Sequence, residues 1–290
     1  MPDGRGQVDS SMALLGQFNT LRIVRQAPPG LYLDGGTHGE ILLPGKYVPL
    51  GAVPGTSIKV FVYRDSEDRL VATTETPLAT VGQCASLRVV TVKRGVGAFL
   101  AWGLEKDLLL PLREQTRELR PLDWVLVHIA LDPKSDRIIA TARLNRWLDK
   151  IPPNFKEEQP VKLLIESETP LGFRAIINHT HHGLLYHSDL ARPLLVGQTL
   201  DGFIRTVRPD GKIDLALNPI GHRPIAPLTD QIVAKLRASG GRLPYHDKST
   251  PEEISAAFGV SKKLFKQAIG ALYRDRRILI EPAGITLAGE

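Results

Sequence analysis

Aromatic and basic side chains recur at matching places along this 290-residue chain, in a combination that suits stacking on bases beside a phosphate backbone. Tyr32 and Phe99 each stand two residues after a glycine, Gly30 and Gly97, and Arg174 holds the same place after Gly172. A second column holds Phe61, His128 and Phe203, and a third holds Arg69, Arg137 and Lys212. Aromatic faces stack on the bases of a single strand at about 1–3 kcal/mol per base, within a basic groove that follows the backbone. Alternate residues of neighbouring strands share a face. Tyr32, Phe61 and Arg69 are therefore expected close together. Phe99 and Arg137 are expected together likewise, with His128 at the Phe61 place. Arg174, Phe203 and Lys212 form the third set, where Tyr186 restores a stacking surface. The structural alternative is that Tyr32 and Phe99 pack against a neighbouring barrel, that Phe61 and Phe203 are core, and that the three cations are solvated turn residues.

Near the C-terminus Lys262, Lys263, Lys266 and Arg274 lie on a predicted helix, with Lys262, Lys266 and Arg274 near one face. Leu264, Phe265, Ala268, Ile269 and Leu272 read as the core of that helix. Its basic face suits phosphate contact more than base reading, or is simply solvated. The run Asn178-His179-Thr180-His181-His182 has imidazoles but no cysteine or carboxylate at ligand spacing, so a polar turn accounts for it and no metal is expected. Phosphate loop, dinucleotide fingerprint, nucleophile elbow and paired-metal acidic cluster are all missing, so neither enzymatic activity nor a cofactor is expected.

The elements that must position these residues come as an internal repeat. Gly30-Leu31-Tyr32-Leu33, Gly97-Ala98-Phe99-Leu100 and Gly172-Phe173-Arg174-Ala175 each lead, 12 residues on from the glycine, to Leu42-Leu43-Pro44, Leu109-Leu110-Pro111 and Leu184-Leu185-Tyr186. Pro54, Pro121 and Val196 then open alternating apolar strands such as Ser57-Ile58-Lys59-Val60-Phe61-Val62-Tyr63. Closing strands follow polar turns at Arg69–Thr73, Arg137–Thr141 and Lys212–Ala216. With a further strand before each glycine, each copy has about five short strands, the size of a small OB-type barrel. The fold class is thus mainly β, with three five-stranded OB barrels over residues 12–77, 78–147 and 160–222, and a linker over 148–159.

Beyond the proline-rich stretch 219–227 the period changes from two to about 3.6. Leu228 to Ala238 reads as one helix. A second begins at Ser249-Thr250-Pro251 and ends at Gly259, and Ser261 caps a third that runs to about Arg276. Arg277–Glu281, Ala283-Gly284 and Ile285–Leu287 read as a short terminal hairpin, which makes residues 228–290 a winged helix-turn-helix.

A net charge of +6 favours polyanionic partners. The single cysteine, Cys84, leaves no intramolecular disulfide and reads as a small buried strand residue. No stretch reaches the roughly 18 apolar residues that cross a bilayer, and Met1 to Ser11 lacks a signal-peptide pattern, so a cytoplasmic protein without a membrane partner is expected.

In the third repeat, Gly183-Leu184-Leu185-Tyr186-His187-Ser188-Asp189-Leu190, Val196-Gly197-Gln198 and Gly211-Lys212-Ile213-Asp214-Leu215 resemble the S-one domain, the OB-fold RNA-binding module of the small-subunit ribosomal protein. Asp247–Glu252 and Ser261–Arg274 look like the winged helix of the bacterial CvfB/YitL family, and the likeness extends over residues 14–288. What the resemblance implies is a bacterial, non-enzymatic protein that binds single-stranded RNA and regulates gene expression after transcription. The residues expected to carry that binding are Tyr32, Arg69, Phe99, Arg137, Arg174, Tyr186, Lys212, Lys262, Lys263, Lys266 and Arg274. The chain departs from the S-one pattern at Pro44, Pro111 and Tyr186, where that module has histidine, and at Arg174, where it has an aromatic. The rival readings are a DNA-binding winged-helix transcription regulator and a protein adaptor for the ribosome or the RNA-decay machinery.

Overall fold

The computed structural model describes residues 12–190, 192–218 and 225–288, so the Met1–Ser11 segment and residues 219–224 of the proline-rich connector lie outside the described residues. These residues form two compact units that divide between Trp147 and Leu148. In the first unit, β1 (Phe18–Ala27), β2 (Gly30–Asp34), β3 (Glu40–Pro44), β4 (Ser57–Arg64) and β5 (Leu70–Thr73) close a barrel in the order β1-β2-β3-β5-β4. Then β6 (Cys84–Lys93), β7 (Gly97–Ala101), β8 (Leu108–Pro111), β9 (Trp124–Leu131) and β10 (Ile138–Thr141) repeat that order, with β8 and β10 lying side by side.

The second unit begins with another closed barrel of β11 (Pro160–Thr169), β12 (Gly172–Ile177), β13 (His181–Tyr186), β14 (Thr199–Val207) and β15 (Ile213–Ala216). A winged helix follows: α1 (Ile225–Ala238), β16 (Arg242–Leu243), α2 (Pro251–Phe258), α3 (Lys262–Arg274), β17 (Ile278–Glu281) and β18 (Gly284–Leu287). The chain is therefore mainly β, three five-stranded barrels and a winged helix, as the repeat predicts.

The repeated glycine has a steric cause. Gly30 pairs with Pro44, Gly97 with Pro111 and Gly172 with Tyr186 across the β2–β3, β7–β8 and β12–β13 hairpins. A Cβ at these glycines would lie 2.1, 2.2 and 1.9 Å from the carbonyl oxygens of Leu43, Leu110 and Leu185. Only hydrogen fits there, which fixes the register of each hairpin and turns the residue two places on, Tyr32, Phe99 or Arg174, away from the barrel interior.

Alternation sets the cores: Leu31 and Leu33 point inward around Tyr32, as Ala98 and Leu100 do around Phe99. On β4 both faces are buried. Val60 and Val62 fill the first barrel, whereas Phe61 and Tyr63 pack outward against Trp102 and the core of the second. Cys84 is buried on β6, as expected.

The segment 148–159, expected as a linker, lies on the third barrel. Asp149 N–H donates to Thr180 O at 2.9 Å, His181 Nε2 is 2.9 Å from Ile151 O, and Phe155 meets the His181 ring edge-on. In the winged helix, Thr250 and Glu253 form a capping box at the start of α2, Gly259 ends it in the left-handed region, and Ser261 caps α3. Helix α1 starts three residues before its expected position, and α3 stops at Arg274 because Arg276 takes a left-handed φ of 54°.

Candidate nucleic-acid interface

The third barrel gathers its predicted residues into one groove of about 720 Å³, lined by Arg174, Tyr186 and Lys212 together with Lys150, Arg208 and Asp214. Tyr186 ends β13, and its hydroxyl donates to Asp214 Oδ1 of β15 at 3.1 Å. Arg208 donates from Nε to Asp214 Oδ2 at 2.9 Å and from Nη2 to the Tyr186 oxygen. The phenol ring is therefore held in orientation by a buried carboxylate and a cation. Hydrogen bonding to Asp214 raises the Arg208 pKa above its ordinary value.

Beside this triad, Arg174 is paired with Glu166, with a hydrogen bond from Nη2 to Oε1 at 2.8 Å and an ion-pair distance of 2.6 Å between Nε and Oε2. Glu166 sits at the bulge of β11, and His182 Nε2 lies 3.2 Å from its Oε2 while His182 Nδ1 bonds Asp149. Burial works against charge on both groups, but the pairing outweighs it, so His182 is held above its ordinary value and Glu166 below. Lys212 stays in its turn beside Asp210, at 2.9 Å. Phe203 is half-buried on β14 opposite Pro160 and Ala216, away from the groove, which corrects its expected grouping with Arg174 and Lys212.

The first barrel does not assemble its expected set. Tyr32 faces outward with the Arg25 guanidinium 3.6 Å from its ring centre, and Glu40 holds Arg25 at 2.6 Å. Phe61 is fully buried between the barrels, and Arg69 is drawn to Asp65 at 2.7 Å and Glu67 at 2.8 Å within its own turn. The three therefore do not form one surface: the second barrel covers the β4 face that would have presented Phe61.

Phe99 and Arg137 do share a groove, of about 370 Å³, but the β4–β5 turn of the first barrel supplies its other wall with Asp65 and Asp68. Arg137 donates to Asp68 Oδ1 at 3.0 Å. Lys106 reaches across to the Arg64 and Asp65 carbonyls at 3.0 and 2.6 Å, and burial lowers its pKa. His128, at the Phe61 place, is buried and stacks on Trp147 at 4.6 Å.

On α3 the expected core residues Phe265, Ala268, Ile269 and Leu272 are buried and Leu264 is partly so. Lys262, Lys263 and Lys266 border a groove of about 1000 Å³ that is also lined by His187, Ser188, Leu190, Arg192 and Pro193 after the β13 strand of the third barrel. Lys263 is 3.5 Å from Asp189 there, and Lys262 donates to Lys248 O at 3.4 Å. Arg274 is exposed at the far end of the helix. The histidine run is a hairpin turn only over Asn178–Thr180, with Asn178 and His179 both left-handed at φ 46° and 64°, while His181 and His182 open β13. Among the described residues no group of three or more His, Cys, Asp or Glu is placed to hold a metal ion, and no helix is long and apolar enough to cross a membrane.

Sequence reasoning missed Arg208, Asp214, His182 and Asp149 as parts of the groove, and Glu166 as the partner of Arg174 and His182 behind it. Arg208 and Asp214 flank the Pro209-Asp210-Gly211 turn, a spacing that pairs residues across a hairpin; Asp149 and Glu166 carry no such local signal.

Residues 230–287 match the CvfB-like winged helix domain and residues 15–75 match the S1 domain, the module called S-one above. The chain is 27% identical to the uncharacterized protein YitL of Bacillus subtilis, over 96% of this chain and 94% of that protein. It is 25% identical to conserved virulence factor B of Staphylococcus epidermidis over 80% of each. A crystal structure of a multidomain protein with nucleic acid binding domains from Streptococcus pneumoniae aligns over 94% of this chain and 98% of that one, at 24% identity and a TM-score of 0.41.

Proposed function

We propose that this chain, which joins an S1 domain and two further barrels of the same plan to a CvfB-like winged helix, binds single-stranded RNA in the bacterial cytoplasm. In this reading it is a post-transcriptional regulator without catalytic activity. The S1 and winged-helix domains support nucleic-acid binding as such. The observation that carries the finer reading is the third-barrel groove, where Tyr186 is fixed by Asp214 and Arg208 between Arg174 and Lys212. A ring locked in one orientation beside cations stacks a base at little further ordering cost, and it suits an unpaired strand whose bases are splayed out. Tyr32, with Arg25 over one face, offers a second stacking place in the first barrel. Lys266 and Arg274 on α3 add phosphate contact. The contact of Lys263 with Asp189 counts against entry of that helix into a duplex groove, because the third barrel stands at its first turn.

Fluorescence anisotropy of the full chain with labelled single-stranded RNA, single-stranded DNA and duplex DNA, each at two salt concentrations, tests the proposal. Tightest binding to RNA, weakened about five-fold or more by Tyr186→Ala, is expected. Preference for the duplex supports a winged-helix transcription regulator instead. No nucleic-acid binding leaves the protein adaptor for the ribosome or RNA decay.

A further inference from the structure

Trp124 is an exposed indole that the second barrel does not need for its own packing. It opens β9 opposite Arg88, and 63% of its surface is exposed. Ser57 opposite Arg22 holds the equivalent place in the first barrel, and Thr199 opposite Leu164 in the third. A small hydroxyl residue thus suffices twice where the second barrel has a tryptophan. Leu122, two residues earlier, is also exposed and lies in the left-handed region at φ 77°, a conformation that a branched side chain rarely adopts. Strained backbone next to an unburied aromatic is a feature of binding surfaces more than of barrel ends.

The cations on β6 and in the loop before Trp124 differ from those at four of the expected binding residues. Arg69, Arg137, Arg174 and Lys212 each have a carboxylate partner. Arg88, Lys93, Arg94 and Arg120 are exposed and have no ion-pair partner among the described residues. Arg117 links Trp124 to this group: it donates to the Trp124 carbonyl at 3.3 Å and to Asp123 Oδ2 at 2.8 Å. It also lines, with Lys93, Arg94 and Leu112, a groove of about 690 Å³.

We infer that the surface of the second barrel running from the start of β9 along β6 to the β6–β7 turn is a separate contact surface for single-stranded RNA, with a base stacked on Trp124 and phosphates on Arg88 beside it and on Lys93 and Arg94 at the turn. This rests on the RNA reading above and moves the second barrel's contribution away from Phe99 and Arg137, whose groove is walled by the acidic β4–β5 turn of the first barrel. Uncompensated positive charge beside one flat aromatic fits a polyanion with stacking bases better than it fits an apolar protein patch.

The full chain is titrated against fluorescein-labelled oligouridylate as wild type, Trp124→Ser, Trp124→Phe and the double variant Lys93→Ala with Arg94→Ala. Expected are a loss of about five-fold or more for Trp124→Ser, near-retention for Trp124→Phe, and for the double variant a weaker affinity with a shallower salt dependence. Ser is the residue of the first barrel at this place, so the thermal midpoint should hold; if it falls, the Lys93/Arg94 pair, exposed and unpaired, decides. If the wild type binds but Trp124→Ser and the double variant bind equally well, this inference alone is overturned. If the wild type binds no oligouridylate, the RNA reading fails first and this inference with it.

Discussion

Arg137 of the second barrel donates its Nε hydrogen to Asp68 Oδ1 of the first at 3.0 Å, so the closing strand of one barrel is tied to the β4–β5 turn of the other. Lys106 strengthens that junction by capping the Arg64 and Asp65 carbonyls, and Trp102 packs edge-on to Phe61 beneath it. An acidic turn thus occupies the cation that would otherwise meet a phosphate. The two barrels are joined at the face where a repeated Phe and Arg suggested a ligand.

Arg137→Ala is accordingly expected to change single-stranded RNA affinity by less than about two-fold, while Tyr186→Ala lowers it about five-fold or more. Arg137 and Asp68 are both about half exposed, so solvent screens their pair and the urea midpoint of Arg137→Ala should move only slightly. Anisotropy and urea unfolding of the two variants check this. A larger affinity loss for Arg137→Ala than for Tyr186→Ala would return the second barrel's Phe99 face to the RNA path.

Gly172→Ala is expected to destabilise the third barrel by at least about 2 kcal/mol, because its Cβ would fall 1.9 Å from Leu185 O and no flexible side chain can yield there. Gly39→Ala, a glycine with nothing within 4 Å of its Cβ position but a φ of +73°, should cost less. Urea unfolding of the two variants compares them, and equal losses would mean that the hairpin carbonyl is not what dictates glycine.

The contrast shows what was legible in the sequence. Gly30, Gly97 and Gly172 stood out because the collision that requires them recurs at one offset in each hairpin, and the caps Thr250 and Ser261 because capping is local. For Phe61 the core alternative holds and its grouping with Tyr32 and Arg69 does not: alternation on β4 turns it outward, but no sequence pattern tells solvent from a second barrel. Arg137 found its partner 69 residues away, across a boundary where chemistry is set by docking. The two-residue β16 has too little length for a period, and Trp124 drew no notice because its meaning lies in the serine and threonine that replace it in the sister barrels.

His182 makes the hold of the 148–159 segment pH-dependent. Asp149 and Glu166 raise its pKa above the ordinary 6.5 despite burial, so the charged form is favoured in the folded chain. The resulting stabilisation is complete below about pH 6.5 and is lost as pH rises through the higher folded-state value. Amide exchange at Asp149, whose N–H is bonded to Thr180 O, should therefore accelerate with pH beyond the intrinsic trend. In His182→Ala it should be fast at every pH. An NMR titration that puts His182 at or below 6.5 would remove the basis for this behaviour.

Tyr186→Phe separates the ring from its hydroxyl. The phenyl ring keeps the face that stacks, so RNA affinity should stay within about two-fold of wild type. The lost hydroxyl leaves Asp214 Oδ1 without its donor at 3.1 Å, although Arg208 still holds Oδ2 at 2.9 Å, so stability should fall by about 1 kcal/mol. Tyr186→Ala loses both, and its affinity deficit should greatly exceed that of Tyr186→Phe. Should the two variants lose affinity equally, the groove works through the Tyr186–Asp214–Arg208 hydrogen bonds, and a base stacked on the ring is not what holds the strand.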